Sequence, residues 1–341
     1  MHTVFINGKL DLDRVEVDVP DPQTGQVRVR VDFVGICGSD LHYYFEGANG
    51  AFTVTEPLTP GHELSGRVDL DPSGRLAPGT PVTVHPARFG SPVAGIEGEP
   101  HLWPGGSYLG SASTRPHTQG AMSDYLVVES DMIRLLPAAL PVRRAVLAEP
   151  LAVSLHAVAR AGSVAGARVL VSGAGPIGLL TVAAARAHGA AHITVSDVLD
   201  APLERARGVG ADAVIRVDQD AAAEAAFDVV FECSGVPAAI SAALVAVRRR
   251  GTVVQVGMVP GEPRPVNLAP LISKEVSLVG VFRFHDEIDE AVRLLVDEPG
   301  IEAVITHVLP VDDVEAAFVL AKDSATSGKV VVALSGDDPL S

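Results

Sequence analysis

From residue 167 onward, short valine-rich segments alternate with alanine-rich segments that have the length of helices. The valine-rich segments predict buried strands, and the segments between them predict helices. We expect strands at 168–172, 192–197, 213–216, 228–232, 251–256 and 276–280, and helices at 178–188, 201–209 and 238–247. Buried strands that alternate with helices form a parallel sheet covered on both faces. The pattern predicts an α/β domain with a doubly wound parallel sheet.

The first third of the chain has a different texture, with valine-rich or alternating segments separated by proline and glycine. This texture is typical of β structure, and we expect strands at 15–19, 26–34 and 79–84. Glycine, proline, serine and histidine dominate residues 86–120, which predicts a long irregular lobe.

Three elements are expected outside these two regions. Pro150 can start a helix at 150–160, since its missing N–H costs nothing in a first turn. The last part predicts a helix at 287–296 and a strand at 329–334. Because 341 residues exceed one ordinary core, we expect two domains. The first is β-rich, spanning residues 1–150 and completed by 282–341, and the second is the parallel-sheet domain at 151–281.

A glycine-rich loop lies between the first strand and the first helix of the parallel-sheet domain. It reads Gly173-Ala174-Gly175-Pro176-Ile177-Gly178, and this strand–loop–helix context is the one that dinucleotide binding requires. Gly173 permits a tight turn, Gly175 lets the backbone approach a pyrophosphate, and Gly178 lets strand and helix pack closely. The helix start, with Pro176 and Ile177 in its first turn, presents free N–H groups to the phosphates. The alternative is a glycine turn that binds no dinucleotide.

The cofactor type is predicted from the end of the second strand. An acidic residue about 20 positions after the loop can hold the ribose hydroxyls, and Asp197 stands there. Asp200 adds a second negative charge, with no arginine or lysine between the two. A 2′-phosphate is repelled by these charges, so the sequence favours NAD over NADP.

Four side chains in three short segments are candidate metal ligands: Cys37, His62, Glu63 and Glu149. A catalytic zinc ion takes three protein ligands and keeps one position open. Taken singly, a cysteine is more often a small buried apolar residue, and a lone histidine is more often structural. The sequence neighbours of the four residues give the zinc interpretation its weight.

Several motifs resemble those of the medium-chain alcohol and polyol dehydrogenases, over nearly the whole chain. They are Gly35-Ile36-Cys37-Gly38-Ser39-Asp40-Leu41-His42-Tyr43-Tyr44, Gly61-His62-Glu63, Ala148-Glu149-Pro150-Leu151-Ala152, Val254-Gln255-Val256-Gly257-Met258 and Gly280-Val281-Phe282-Arg283-Phe284. The resemblance is closest to the polyol branch of that family. It implies a GroES-like β-rich catalytic domain and a Rossmann domain, with the active site in the cleft between them.

The resemblance implies one catalytic zinc ion bound by Cys37, His62 and either Glu149 or Glu63. The two glutamates then act as catalytic ligands that exchange with water during turnover. Asp40 is implied to orient His62 from outside the ligand set, which fixes the tautomer and basicity of the imidazole.

The family resemblance also assigns the proton path and the substrate contacts. Ser39 and His42 are implied to form a proton relay, although His42 can equally be a surface histidine. Tyr43, Phe52 and Arg283 are implied to face the substrate. Further contacts to the cofactor are implied for Val256, Gly257, Val281, Phe282 and Arg283. Ser234 is expected beside the cofactor because it follows the end of a strand, where such sheets bind ligands.

The lobe departs from the family pattern. Most members carry a second, structural zinc ion held there by four closely spaced cysteines, but residues 86–110 contain no cysteine. A structural Cys₄ site is therefore excluded. We interpret His85, His101 and His117 as solvated loop residues that are too scattered to replace it. Apolar packing or a neighbouring subunit is expected to order the lobe, and the apolar candidates are Leu102, Trp103 and Tyr108.

Composition narrows the partners and the setting. The formal net charge of −16 argues against nucleic acid and anionic membranes as partners. No signal peptide is visible at the start, and two cysteines make a disulfide framework unlikely, which fits the cytoplasm. Cys233 is expected in the core, and Arg248-Arg249-Arg250 at a solvated helix end. A homo-oligomer, dimer or tetramer, is expected.

Together these observations predict a zinc-dependent oxidoreductase. It moves a hydride from a secondary alcohol of a sugar acid or polyol to NAD. Arg283 can pair with a carboxylate, so a sugar acid such as L-idonate ranks above sorbitol or xylitol. One rival is a zinc-free quinone or enoyl reductase that uses NADPH. Another is a dinucleotide-binding protein without turnover, which leaves the Ser39–His42 pair without a purpose.

Overall fold

The structure is a computed structural model and describes residues 1–259 and 261–335. The elements up to residue 161 are mostly strands. They are β1 (His2–Gly8), β2 (Asp11–Glu16), β3 (Gln26–Gly35), α1 (Gly38–Glu46), β4 (Ala48–Asn49), β5 (Phe52–Thr53), β6 (Glu63–Leu70), β7 (Pro81–Val84), β8 (Ala87–Arg88), β9 (Ser107–Tyr108), β10 (Tyr125–Glu129), β11 (Ile133–Leu135), α2 (Val142–Ala145) and α3 (Ala148–Ala161).

The second part alternates strictly between strand and helix for most of its length. Its elements are β12 (Arg168–Ser172), α4 (Pro176–Ala187), β13 (His192–Asp197), α5 (Asp200–Gly208), β14 (Ala213–Arg216), β15 (Phe227–Glu232), α6 (Pro237–Ala246), β16 (Val247–Gln255), α7 (Ala269–Ser273) and β17 (Ser277–Gly280). The last elements are α8 (Ile288–Asp297), β18 (Ile305–Pro310), α9 (Val314–Lys322) and β19 (Lys329–Ala333).

The first part is built on a seven-stranded sheet with the order β11-β7-β6-β3-β19-β18, and β10 also pairs with β3. β3 forms its centre because its valines alternate with polar residues, so that Val27, Val29 and Val31 all point into the core. The strand β19 pairs with β3 and β18. A segment from the end of the chain therefore completes the first sheet.

The second sheet has six strands in the order β14-β13-β12-β15-β16-β17, and every neighbouring pair is parallel. Strand order reverses beside β12, which is the switch point where such sheets bind ligands at their carboxyl ends. The glycine-rich loop follows β12 directly. The predicted fold class, a β-rich GroES-like domain with a Rossmann sheet, is confirmed. Among the described helices, none has both the length and the apolar character needed to cross a membrane.

Two local predictions about secondary structure were wrong. The strand expected at 15–19 lies earlier, at Asp11–Glu16, where it pairs with β1. Arg248, Arg249 and Arg250 lie in β16 and not at a helix end, since α6 already stops at Ala246. A run of positive charge suits a helix end, but Arg248 bonds to Asp228 in β15 of the same sheet.

The three histidines predicted to be solvated are buried instead. His85, His101 and His117 keep only 3%, 8% and 4% of their surface exposed. His85 Nε2 lies 2.6 Å from the carbonyl oxygen of His285, and the rings of His101 and His156 meet edge-on. Folding brings His85 against His285 and His101 against His156, from distant parts of the chain. Sequence spacing alone does not show such contacts.

The lobe is ordered by short hydrogen-bonded elements and by partial apolar packing. β8 and β9 pair with each other, and a 3₁₀ turn at Pro100–Leu102 lies between them. Trp103 donates its indole N–H to the carbonyl of Ile96, and Tyr108 is buried. Leu102 is exposed, so of the three expected packing residues it contributes least.

Candidate metal and dinucleotide site

Asp40 joins the two segments that carry Cys37 and His62. Cys37 caps α1, and its backbone N–H donates to Asp40 Oδ2 at 2.9 Å. The backbone N–H of Gly61 donates to Asp40 Oδ1 at 3.1 Å. The aspartate is fully buried, so it fixes the relative position of both segments. It reaches His62 through the backbone of Gly61, since His62 Nδ1 has no hydrogen-bond partner among the described residues.

Cys37, His62 and Glu63 offer ligand atoms that all lie within 4.8 Å of one another. Glu63 starts β6 opposite Gly35, where a Cβ atom would lie 2.2 Å from Glu63 Oε2. Any larger residue at position 35 would collide with the carboxylate of Glu63, so glycine is required there. One sulfur, one nitrogen and one oxygen ligand suit zinc, and the buried, unpartnered Nδ1 of His62 indicates that a ligand belongs here. The donor set therefore fits a zinc ion.

Glu149 is not a member of this group of three, although it lies close by. It stands in the first turn of α3, and Tyr108 donates its hydroxyl to Glu149 Oε1 at 2.5 Å. Its negative charge contributes to raising the pKa of His62. The structure thus brings Glu63 into contact distance and leaves Glu149 beside the group, bound to Tyr108.

Glu63 has a buried cationic partner that sequence reasoning missed. Lys329 Nζ lies 2.6 Å from Glu63 Oε1 and donates to the carbonyl of Ile36 at 3.0 Å. Both side chains are almost fully enclosed, with 3% of the lysine and 1% of the glutamate exposed. The two residues are 266 positions apart, so no local pattern links them.

The site concentrates negative charge. Burial alone lowers the pKa of His62, but the charges of Cys37, Glu149 and Asp40 outweigh it and raise that pKa to about 10. Burial raises the pKa of Asp40 and of Glu149. This cluster therefore attracts a cation, which is either a proton on the imidazole or a metal ion.

The proposed relay residues, Ser39 and His42, both lie in the first turns of α1. Ser39 is half-buried, and His42 is exposed with its Nδ1 3.1 Å from Glu46 Oε1. Among the described residues, no hydrogen bond joins Ser39 to His42. Tyr43 is buried, and its hydroxyl accepts the backbone N–H of Ala112 at 3.1 Å.

A cavity of about 270 Å³ lies between the lobe and the residues after β17. Phe52, Phe282 and Arg283 line it, together with Phe89 and Trp103 of the lobe. Arg283 has a left-handed backbone, with φ of 54°, and its guanidinium carbon lies 4.0 Å from the centre of the Tyr108 ring.

The Arg283 guanidinium faces the rings of Tyr108 and Phe282, with no hydrogen bond to a carboxylate among the described residues. Burial lowers its pKa. Because the guanidinium stays charged in proteins, it can pair with a carboxylate that enters the cavity.

The glycine-rich loop has the shape of a phosphate cradle. Gly173 adopts a φ of 97°, and a Cβ atom on Gly178 would lie 1.9 Å from the carbonyl oxygen of Gly173. A Cβ atom on Gly175 would meet no protein atom within 4 Å, so the space in front of it is open. Gly175 caps α4, and Pro176 and Ile177 form the first turn. The loop fits a pyrophosphate at a helix start.

Asp197 ends β13 beside this loop. Its Oδ2 accepts the N–H of Ala174 at 2.7 Å, and its Oδ1 accepts that of Leu199 at 3.0 Å. Asp200 is paired with Arg216, whose Nη1 lies 2.5 Å away. Arg216 pairs with Asp197 in the register of β13 and β14. A cation thus lies near the ribose position, although the sequence between Asp197 and Asp200 contains none.

The remaining cofactor candidates lie at the carboxyl ends of β15, β16 and β17. Glu232 organises this edge, because its carboxylate accepts the N–H groups of Ser234 and Gly235 and the side chain of Gln255. Val256 and Gly257 donate their N–H groups to the Glu232 carbonyl. Val281 and Phe282 follow β17. The sequence indicated a structural role for Glu232 but not this network. Cys233 is half-buried against the core, and burial raises its pKa to about 12.

Comparison with known proteins places the chain among dehydrogenases. Residues 23–138 match the alcohol dehydrogenase GroES-like domain, and residues 176–297 match the zinc-binding dehydrogenase family. L-idonate 5-dehydrogenase (NAD(P)(+)) of Escherichia coli strain K12 is 37% identical over 89% of this chain and 90% of its own length. Sorbitol dehydrogenase of Bacillus subtilis strain 168 is 35% identical over 81% of this chain and 80% of its own.

A solved structure agrees with these sequence matches. The crystal structure of L-idonate 5-dehydrogenase from Escherichia coli superposes with a TM-score of 0.89 at 33% identity, and the match covers 98% of both chains. The two-part architecture described above is therefore shared along almost the entire length of this relative.

Proposed function

Because this chain belongs to the zinc-binding dehydrogenase family, we propose that it oxidises a secondary hydroxyl group of a sugar acid and passes the hydride to NAD. The observation that carries this proposal is the half-buried guanidinium of Arg283, which lines the cavity and has no hydrogen bond to a carboxylate among the described residues. Arg283 packs on the ring of Tyr108, and Tyr108 in turn contacts His62 and Glu149. The relatives named for L-idonate and for sorbitol support the wider class of polyols and sugar acids.

The residues divide the reaction between them. Cys37, His62 and either Glu63 or Glu149 would hold a zinc ion, which would supply a Lewis acid that makes a nearby hydroxyl far more acidic. We assign Ser39 as the acceptor of the hydroxyl proton and the exposed His42 as the group that hands a proton to solvent. Water would carry the proton between them, because no hydrogen bond joins the two among the described residues. Bound NAD would supply the hydride acceptor, and the net reaction would convert the alcohol and NAD⁺ into a ketone, NADH and one proton.

The choice of NAD over NADP is part of the proposal. Asp197 places a negative charge at the end of β13, which repels a 2′-phosphate. Arg216 stands opposite Asp197 in the register of β13 and β14, but its side chain already pairs with Asp200 and Asp218. A relative named for both NAD and NADP makes a direct comparison of the two cofactors necessary.

A substrate panel tests the proposal. Purified protein is analysed for metal by mass spectrometry, and NADH formation is measured with aldonic acids and with neutral polyols of equal length. We expect one zinc ion per chain and a lower KM for aldonates than for neutral polyols. We expect Arg283→Ala to remove this difference in KM. Equal activity on neutral polyols, unaffected by Arg283→Ala, overturns the sugar-acid assignment and favours a sorbitol-type enzyme.

We also propose that the chain forms a homo-oligomer through the edge of the parallel sheet. β17 lies at that edge, and Leu278 on it and Ile272 on α7 are exposed. Unpaired edge strands readily pair with a second copy. Light scattering of the wild type and of Leu278→Asp tests this, since the variant is expected to form a smaller assembly than the wild type. An unchanged assembly size contradicts the proposal.

The domain division stays a proposal that the two sheets support. Residues 1–150 with 282–341 contain the first sheet, and residues 151–281 contain the second. Residues 336–341 of the return segment lie outside the described residues. The cytoplasmic location stays a prediction.

A further inference from the structure

Tyr108 touches three groups of the candidate site from the lobe. Its hydroxyl donates to Glu149 Oε1 at 2.5 Å. The face of its ring lies 4.0 Å from the guanidinium carbon of Arg283. The edge of the ring meets His62, with 5.3 Å between ring centres. One side chain thus contacts two candidate metal ligands and the residue proposed to bind the substrate.

The position of Tyr108 is fixed by the backbone of the lobe. It ends β9 and pairs with Ala87 of β8, and the next residue, Leu109, donates its N–H to the carbonyl of Pro86. The side chain is buried. The ring and the hydroxyl therefore hold their partners from a fixed point.

We propose that Tyr108 is a positioning residue that sets the distance between the carboxylate of Glu149 and the guanidinium of Arg283. The hydroxyl restrains Glu149 beside the metal ligands, and the ring face restrains Arg283 by a cation–π contact. The part on Arg283 rests on the proposed function, whereas the part on Glu149 does not.

Two different chemical groups of one residue do this work, so they can be separated. Tyr108→Phe keeps the ring and removes the hydroxyl, and Tyr108→Leu removes both. Tyr44→Phe is a matched control, because Tyr44 is buried and donates its hydroxyl to Glu315 at 3.1 Å, away from the metal ligands.

Metal affinity tests the hydroxyl. The metal-free protein is titrated with Co²⁺ by visible absorption, and Zn²⁺ affinity is measured by competition with a chelator. Loss of a hydrogen bond to a metal ligand typically lowers metal affinity 10- to 100-fold. Because Glu149 is one of the two proposed carboxylate ligands and Tyr108 bonds to it, we expect a loss in that range for Tyr108→Phe and a changed Co²⁺ spectrum. Affinity equal to that of Tyr44→Phe overturns the role of the hydroxyl.

Substrate kinetics test the ring. We expect Tyr108→Phe to keep the KM for aldonates within about twofold, because the cation–π contact is retained. Tyr108→Leu raises that KM about tenfold but leaves the KM for neutral polyols unchanged. An equal rise for both substrate classes overturns the role of the ring.

Two further measurements keep the outcome clear. If Tyr108→Leu has a lower melting temperature, a double-mutant cycle with Arg283→Lys decides the role of the ring. We expect Tyr108→Leu to cause no further rise in the KM for aldonates when the guanidinium is already absent. If wild-type protein oxidises neither substrate class, the proposed function fails, and the Co²⁺ titration still decides the role of the hydroxyl.

Discussion

Lys329 and Glu63 form a buried ion pair, 2.6 Å from Nζ to Oε1, that joins β19 to the first residue of β6. Burial alone lowers the pKa of Lys329, but Glu63 and Cys37 outweigh it and raise that pKa. A permanently charged lysine therefore balances one carboxylate at the edge of the metal ligands.

Removing the lysine is expected to destabilise the fold. Lys329→Met leaves Glu63 buried without a partner, and breaking such a pair costs about 3–5 kcal/mol in the free energy of unfolding. Urea unfolding of metal-free protein measures it, with the exposed Lys9→Met as control. The double variant Lys329→Met/Glu63→Gln recovers most of the loss. A single variant as stable as the control contradicts the prediction.

Substitution of two glycines of the phosphate loop is expected to affect different properties: NADH affinity alone for Gly175, and the melting temperature as well for Gly178. Gly175→Ala fills open space, so the melting temperature stays unchanged, while NADH binding weakens at least about tenfold because the Cβ atom occupies the pyrophosphate position. Gly178→Ala clashes with the Gly173 carbonyl, so it lowers the melting temperature as well. Fluorescence titration with NADH and thermal melts separate the two, and unchanged NADH affinity in Gly175→Ala contradicts this assignment.

Cofactor preference is expected to shift when the charge of Asp197 is removed. Asp197→Asn keeps the size of the side chain but no longer repels a 2′-phosphate, so the ratio of kcat/KM for NAD to that for NADP falls about tenfold, equivalent to about 1.4 kcal/mol. Asp218→Asn serves as the control, because it removes the charge of an exposed aspartate that pairs with Arg216. An unchanged ratio in Asp197→Asn places cofactor selection elsewhere.

Acid is expected to destabilise the protein in two stages. Burial lowers the pKa of His85 and of His101, so below about pH 6.5 the unfolded chain binds protons that the folded chain does not, and stability falls. Burial raises the pKa of Glu287, but the hydrogen bond with His156 outweighs it, and that pKa is lowered to about 2. Its contribution is complete above pH 4.5 and disappears as the pH falls toward 2.

Melting temperature against pH measures both stages. Glu287→Gln removes the second stage and leaves the first, and the exposed Glu262→Gln changes neither. A flat profile between pH 7 and pH 5 contradicts the role of the buried histidines.

Local patterns predicted the parts of the molecule that depend on neighbouring residues. The strand at 168–172, the glycine loop and the following helix were all readable, because turn chemistry and apolar alternation act over a few positions. Contacts between residues that are distant in sequence could not be predicted in this way. Nothing near Lys329 or Tyr108 in the sequence marks their partners, and the burial of His101 depends on His156 and His285.

β19 lies inside the first sheet, between β3 and β18, although the whole parallel sheet precedes it in the chain. During synthesis the ribosome therefore releases every strand of the parallel sheet while the first sheet still lacks an interior strand. The last residues of β3, 33–35, lack this partner strand until β19 emerges and brings Lys329 to Glu63. The metal-binding cluster is consequently one of the last features of this enzyme to mature.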